Sequence, residues 1–356
     1  MAMNQKKICY IGQYFETGGS ETLLRNDVLA LRNIGCEVQV IDTLKVPFSI
    51  DLVDKNVDKI ICFDLRSAAL IKGDKALKQK TMVFAIGRAD YHLDPQGNIG
   101  KVAELILKGM VETNKLYKDK WWRKYFFLSG IYYEYYDVFK SYEIIYVPSN
   151  LWGEQLKKTF NVNYVKIPLG LNKAQWFSNK VYEKRKELKI LIPTGFYRSK
   201  KLDSGLQKIN KVIGSLGEKV FCDFIWYNRE YRWMMNLYNK RYSNINFIRP
   251  APDPKSLFLQ YDLMVHPSLG DAFCQVALEC FSCGLPCLVS SVSEDLLGEH
   301  VICMSTKDER YEDTLRRLIL DYNLRESLST RALRFANKWM SWEERARLIV
   351  KEAGLI

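Results

Sequence analysis

Alternation of short apolar runs with helix-length segments, begun once and then begun again, is the feature that most constrains this chain. KKICYIG reads as a buried strand, Gly18-Gly19-Ser20-Glu21 punctuates it, and Leu24, Val28 and Leu31 recur at helical spacing until Gly35. CEVQVID then resumes an extended pattern, which completes a strand–helix–strand unit. Two strands joined through a helix run parallel, because the connection crosses over instead of turning back. DKIICFD (58–64), KTMVFAIG (80–87) and YEIIYVPS (142–149) continue the series. After VKIPLGLNKAQWF the pattern restarts with KELKILIPTGF, a helix from Asp203 to Leu216, KVFCDFIWY, INFIRP, DLMVHPS, a helix from Phe273 to Cys283, and PCLVSS. Two doubly wound α/β domains follow, with a boundary expected near 168–188, where Pro168, Gly170 and the polar run SNKVYEKRKE lie. The last segment, FANKWMSWEERARLIVKEAG, is amphipathic and is expected to be helical.

A chain of 356 residues is long enough for two separate cores. No stretch approaches the roughly 20 uncharged apolar residues that span a bilayer. The lysine-led start runs into polar residues and Glu16 without a small-residue cleavage site, so a first strand in a cytosolic protein is expected. Nine cysteines, an odd number scattered along the chain, read as small buried hydrophobes and not as a disulfide framework. A net charge of +12 calls for an acidic partner: a nucleotide, a phospholipid surface, a nucleic acid or a polyanionic glycan.

In open parallel sheets ligands sit beyond the carboxyl ends of the strands, so the loops at 13–20, 196–203 and 268–273 are the places to look. Gly18-Gly19 ahead of a helix exposes N–H groups to a phosphate or sugar, although such a pair also makes a simple turn. Phe196-Tyr197-Arg198-Ser199-Lys200-Lys201 offers three cations to a diphosphate, or forms a solvated loop. Asp271 and Glu279 are eight apart, and both face one strand-end cleft if Asp271 precedes a helix that contains Glu279. Taken alone, the pair also fits a cap and a surface residue.

The combination is more specific. DLMVHPSLGDAFCQVALECFSCGLPCLVSS resembles the signature of the retaining family 4 glycosyltransferases of the GT-B fold: acid, seven residues, glutamate, then Cys-Gly-Leu-Pro and an apolar strand. GGSETLLRNDVLALRNIGCEVQVI is similar to that family's Gly-Gly-x-Glu helix, IPLGLNKAQWF to its interdomain linker, GFYRSKKLDSGL to its diphosphate loop and FANKWMSWEERARLI to its closing helix. The matches run in family order over nearly the whole chain. The resemblance implies two Rossmann-like domains facing each other across a cleft. An acceptor-side domain spans 1–170, with 336–356 packing back on it, and a nucleotide-sugar domain spans 171–335. It implies a hexosyltransferase that uses a nucleotide-sugar as co-substrate and passes the sugar to a glycan, a lipid-linked molecule or a protein.

By the same resemblance Glu279 holds the ribose hydroxyls, and Asp271, where the family usually has glutamate, touches the donor sugar. The backbone N–H groups of Ala272, Phe273 and Cys274 hold sugar or phosphate, although the family carries glycines at 272 and 274. Arg198 and Lys201 neutralise the diphosphate, with Arg198 replacing a family arginine whose place is taken by Phe196. Cys280, Cys283 and Cys287 fall where the family has small or apolar residues, on either side of Pro286, so convergence on a metal is not expected. No D-x-D triplet occurs, which removes the usual carboxylate platform for Mg²⁺ or Mn²⁺. The expectation is therefore no metal and no cofactor, with cations and a helix terminus stabilising the leaving nucleotide.

Two departures remain. The family commonly carries a histidine at the end of an N-domain strand, where this chain reads MVFAIGRADYH. His92, a few residues late, and Asp90 take the catalytic place, with Arg88 beside them. The alternative is a lapsed transferase that binds nucleotide, glycan or nucleic acid. The second departure is Leu107–Phe139, where lysines and Arg123 interleave with Trp121, Trp122, Tyr125, Phe126 and Phe127. That composition suits an anionic membrane face, stacking on a nucleic acid, or an ordinary helical pair with aromatics in the core.

Overall fold

Every strand among the described residues pairs in parallel, and these strands form two separate sheets. In the first, β1 (Lys7–Gly12), β2 (Glu37–Asp42), β3 (Lys59–Cys62), β4 (Thr81–Phe84), β5 (Ile144–Val147) and β6 (Asn163–Lys166) lie in the order β2-β1-β3-β4-β5-β6. In the second, β7 (Leu188–Ile192), β8 (Val220–Ile225), β9 (Asn246–Ile248), β10 (Leu263–His266), β11 (Cys287–Val289) and β12 (Ile302–Cys303) lie in the order β12-β11-β10-β7-β8-β9. This computed structural model describes residues 5–12, 19–43, 45–63, 65–85, 138–178, 182–193, 203–217, 219–225, 238–268, 273–289 and 297–356. The chain divides into two units, Met1–Pro168 with Arg345–Ile356, and Leu169–Glu344.

The strands are apolar on both faces, as parallel strands covered by crossover helices have to be. Residues 8–12 of β1 and all four of β10 are buried, without the in–out alternation of a half-exposed sheet. β6 (NYVK) and β12 (two residues) have no counterpart among the apolar runs of the sequence. Both are edge strands, where one side needs no partner and a polar residue is tolerated.

The amphipathic tail is two helices, not one. Tyr322–Lys338 stops, and Trp342–Glu352 starts after a break at 339–341. Ser341 makes the break: Glu344 N–H donates to its Oγ (3.1 Å), and its own N–H donates to Glu344 Oε2 (2.6 Å). This reciprocal cap satisfies two helix-end donors at once.

The final helix then places Arg345 in the core of the first unit. Arg345 and Asp27 are both 0% exposed. The guanidinium grips the carboxylate through Nε (2.8 Å) and Nη2 (3.1 Å) and gives Nη1 to the carbonyls of Ile167 (2.7 Å) and Pro168 (2.6 Å). Tyr10 donates its hydroxyl to the same carboxylate (2.9 Å), and the Phe84 ring lies 5.7 Å from the guanidinium carbon. Two charges out of water are tolerated only with such complete pairing. Asp27→Ala should lower the unfolding free energy by about 3–5 kcal/mol, whereas replacing Asp27 and Arg345 together by leucine and methionine should cost much less. Denaturant titration measures both, and a double variant as weak as the single one contradicts this account.

Candidate functional site

The second sheet reverses its chain order between β7 and β10: β8 and β9 lie beyond β7, and β11 and β12 lie beyond β10. The two strands are hydrogen-bonded neighbours, with Ile190 opposite Leu263 and Leu191 opposite Met264. At such a switch point the following loops part to opposite faces and open a crevice at the carboxyl edge. The loop after β7 carries Arg198 and Lys201, and the loop after β10 carries Asp271 and Ala272. These four residues lie outside the described residues, as do Gly18, Arg88, Asp90 and His92. Gly19 opens the helix Gly19–Asn33 that follows β1 in the other unit.

Phe273 and Cys274 stand just ahead of the site helix, Gln275–Ser282, and not inside its first turn. Cys274 is the N-cap and makes no capping hydrogen bond with its side chain, while its carbonyl accepts from the Ala277 N–H (3.0 Å). Phe273 stacks on Trp339 at 6.3 Å between ring centres, and Trp339 Nε1 donates to the Leu169 carbonyl (2.8 Å). The helix is seated on Ala277, Leu278, Cys280 and Phe281, all buried. Gly284 ends it at φ +69, and its carbonyl accepts from Ser329 Oγ (2.6 Å). Gln275, Val276 and Glu279 remain half-buried on the other face.

Glu279 therefore has the helix position its spacing suggests. Burial pushes its carboxyl up to about 8, and no cation among the described residues offsets that shift. The cysteines beside it behave differently. Cys283 Sγ donates to the Trp176 carbonyl (3.5 Å), Cys287 Sγ to the Leu285 carbonyl (3.2 Å), and burial holds the Cys280 and Cys287 thiols above their ordinary range. These are packed thiols, not thiolates. In the other unit, Val138 and Phe139 end the basic aromatic segment. Both are fully buried, with Phe139 edge-on to Phe160 at 5.0 Å, and the rest of Leu107–Phe139 lies outside the described residues. Among the described residues no helix is long and apolar enough to cross a membrane.

Residues 228–335 match the family described as Glycosyl transferases group 1, a span that includes Asp271 and Glu279. The chain is similar in structure to sucrose-phosphate synthase of Thermosynechococcus elongatus, with a TM-score of 0.72 at 12% identity over 99% of each chain. It is similar to WaaG, a glycosyltransferase involved in lipopolysaccharide biosynthesis, with a TM-score of 0.65 at 16% identity, over 98% of this chain and 99% of that one. It is also similar to Anabaena HepE in complex with UDP and glucose, with a TM-score of 0.68 at 11% identity, over 99% of this chain and 100% of that one. No curated protein matches. The fold is GT-B, and the stretch that matches the glycosyl transferases group 1 family lies within its second unit.

The raised Glu279 carboxyl has a pH signature. From its ordinary 4.5 to about 8 the unfolded chain gives up this proton while the folded chain keeps it, so each unit of rising pH favours unfolding. Glu279→Gln removes that term. Its stability gain over wild type should be small at pH 5 and grow by up to about 1.4 kcal/mol per unit towards pH 8. Denaturant midpoints at pH 5, 6.5 and 8 report it, and a gain independent of pH contradicts the assignment.

Proposed function

We propose that this glycosyltransferase moves a hexose from a nucleotide-sugar to an acceptor, without a metal and with retention at the anomeric carbon. The observation that carries the reading is Glu279: a half-buried carboxyl without a cation among the described residues, on the family-matched helix beside the switch point. Once it gives up its proton, that carboxyl accepts from two hydroxyl donors, and a ribose diol offers a pair. HepE binds UDP and UDP-glucose on the same fold, which supports a nucleotide-sugar donor.

Each group then has one task. Glu279 accepts from the ribose hydroxyls, and Asp271 meets the hydroxyls of the donor sugar. The N–H groups of Ala272, Phe273 and Cys274, with the uncapped end of the site helix, hold the phosphates beside Arg198 and Lys201. When the bond from the anomeric carbon to the β-phosphate oxygen breaks, charge grows on that oxygen, and those donors and cations stabilise it. In the other unit Gly18 and Gly19 admit the donor closely, and His92 and Asp90 serve the reacting sugar. Absence of a D-x-D triplet in the sequence supports doing this without a divalent cation.

The test combines binding with turnover. Above about pH 8, where the Glu279 carboxyl is ionised, Glu279→Ala should lose about 1.5–3 kcal/mol of UDP affinity, the worth of charge-assisted hydrogen bonds. Asp271→Ala should bind UDP normally and transfer no sugar. Thermal stabilisation by UDP should be the same with and without EDTA. Normal binding and turnover in both variants overturns the site, a strict metal requirement overturns the metal-free mechanism, and binding without turnover in wild type identifies a lapsed transferase.

The acceptor reading is finer still. Lys115, Lys118, Lys120, Arg123 and Lys124 with Trp121 and Trp122 suit an anionic membrane face, each basic residue adding about 1 kcal/mol near the surface. That supports a lipid-linked acceptor. Wild type should co-sediment with anionic liposomes at low salt, and Lys120→Glu with Trp121→Ala and Trp122→Ala should not. Wild type that stays in the supernatant points to a soluble acceptor and to the core reading that Phe139 already shows at the end of this segment.

A further inference from the structure

We infer that Gln275 is a further donor-binding residue, whose side-chain oxygen accepts a hydrogen bond from a hydroxyl of the nucleotide-sugar. The inference rests on the donor site proposed above. Sequence reading selects the acids and passes over this glutamine, although CQVALECFS carries a signal. Gln275 and Glu279 are the two polar side chains on the half-buried face of an otherwise buried helix, four residues apart. Side chains at that spacing share a face, with Gln275 about 6 Å nearer the helix N-terminus.

The two ends of the amide have different fates. Nε2 donates to the Gly170 carbonyl at 3.1 Å. That bond fixes which end is which, because a carbonyl is met only by the NH₂ group. Gly170 is itself immobilised. A Cβ there would come within 2.7 Å of the Trp342 Cα, and Leu171 N–H donates to the Met340 carbonyl (3.0 Å). The amide is therefore held, and Oε1 is sealed from solvent with no hydrogen-bond partner among the described residues. Buried acceptors are normally satisfied, so this one marks a place where a donor belongs.

Chemistry narrows what that donor is. Ionised phosphate oxygens only accept, so the diphosphate is mismatched to Oε1, whereas a hydroxyl donates and fits. A nucleotide-sugar has hydroxyls on its ribose and on its hexose. From Glu279 towards the open helix end, the donor runs from ribose to diphosphate and sugar, so Gln275 stands past the ribose contact. The orientation is fixed before binding, which makes the oxygen selective for a hydroxyl at one position and not adaptable to several.

Isothermal titration of wild type, Gln275→Met and Gln275→Glu with UDP and with UDP-glucose tests this. Gln275→Met, similar in shape but lacking both polar ends, should weaken UDP-glucose about tenfold, which is about 1.4 kcal/mol. If UDP is unaffected, the hydroxyl is on the hexose; if UDP weakens equally, it is on the ribose. Gln275→Glu, when protonated, donates to the Gly170 carbonyl and keeps an acceptor oxygen, so at pH 5 it should stay within about threefold of wild type. Weakening of Gln275→Glu at pH 5 equal to that of Gln275→Met overturns the inference, because the acceptor and the Gly170 bond are then both present. Unchanged UDP-glucose affinity in Gln275→Met overturns it as well. Wild type that binds neither ligand refutes the donor site itself, a different result from a variant that matches a binding wild type.

Discussion

Parallel pairing is the constraint on which the rest of this structure depends. Each parallel neighbour is reached only by a crossover, and each crossover puts a helix on one face of the sheet and a loop at the carboxyl edge. The two sheets repeat this with six strands each, so the chain presents its loops at one edge of each unit. Where the chain order reverses, at β7 and β10, two of those loops start from adjacent strands. In the sequence, the candidate residues Arg198, Lys201 and Asp271 fall in the segments that follow those two strands, and Glu279 falls on the helix after the second.

Burial of charge is handled in two opposite ways. In the first unit, Arg345 and Asp27 are sealed together with Tyr10 and two backbone carbonyls, and every contact satisfies a polar group. Such a network holds a terminal helix in register, since no apolar residue could reproduce its directional bonds. In the second unit, Glu279 is partly buried with no cation beside it among the described residues, and its carboxyl rises to about 8 as a result. Gln275 Oε1, one turn away, meets no donor among the described residues. Pairing stabilises the first group, and burial without it raises the proton affinity of the second.

The site helix is also tied to the segment that leads into its unit. Phe273 packs on Trp339, Trp339 bonds the Leu169 carbonyl, and Gln275 bonds that of Gly170. Gly170 permits this because it alone leaves room against the Trp342 backbone. Loops that precede a binding helix are ordinarily the most variable part of such a fold. Here both residues around the N-cap are held from one side, Gln275 by Gly170 directly and Phe273 through Trp339.

The resemblance of its motifs to a known family carried the GT-B class, and by itself the sequence determined the parallel sheets and the place of Glu279 on a helix at the carboxyl edge of the second sheet. Those follow from apolar runs, helical spacing and glycines, which are local and survive translation into structure without knowledge of partners. It did not reveal β6 or β12, because an edge strand needs too little burial to leave an apolar run. Nor did it reveal the break at Ser341, where WMSWEERA satisfies helical periodicity on both sides and only the reciprocal Ser341–Glu344 cap interrupts it. Tertiary structure alone decided that Arg345, one of two arginines in a surface-like helix, would be the buried one, since its partner Asp27 is 318 positions away. It alone decided that, among the described residues, Glu279 has no cation beside it and Gln275 has one satisfied end. Protonation and hydrogen bonding depend on which atoms come within about 3 Å, and residues distant in sequence supply them.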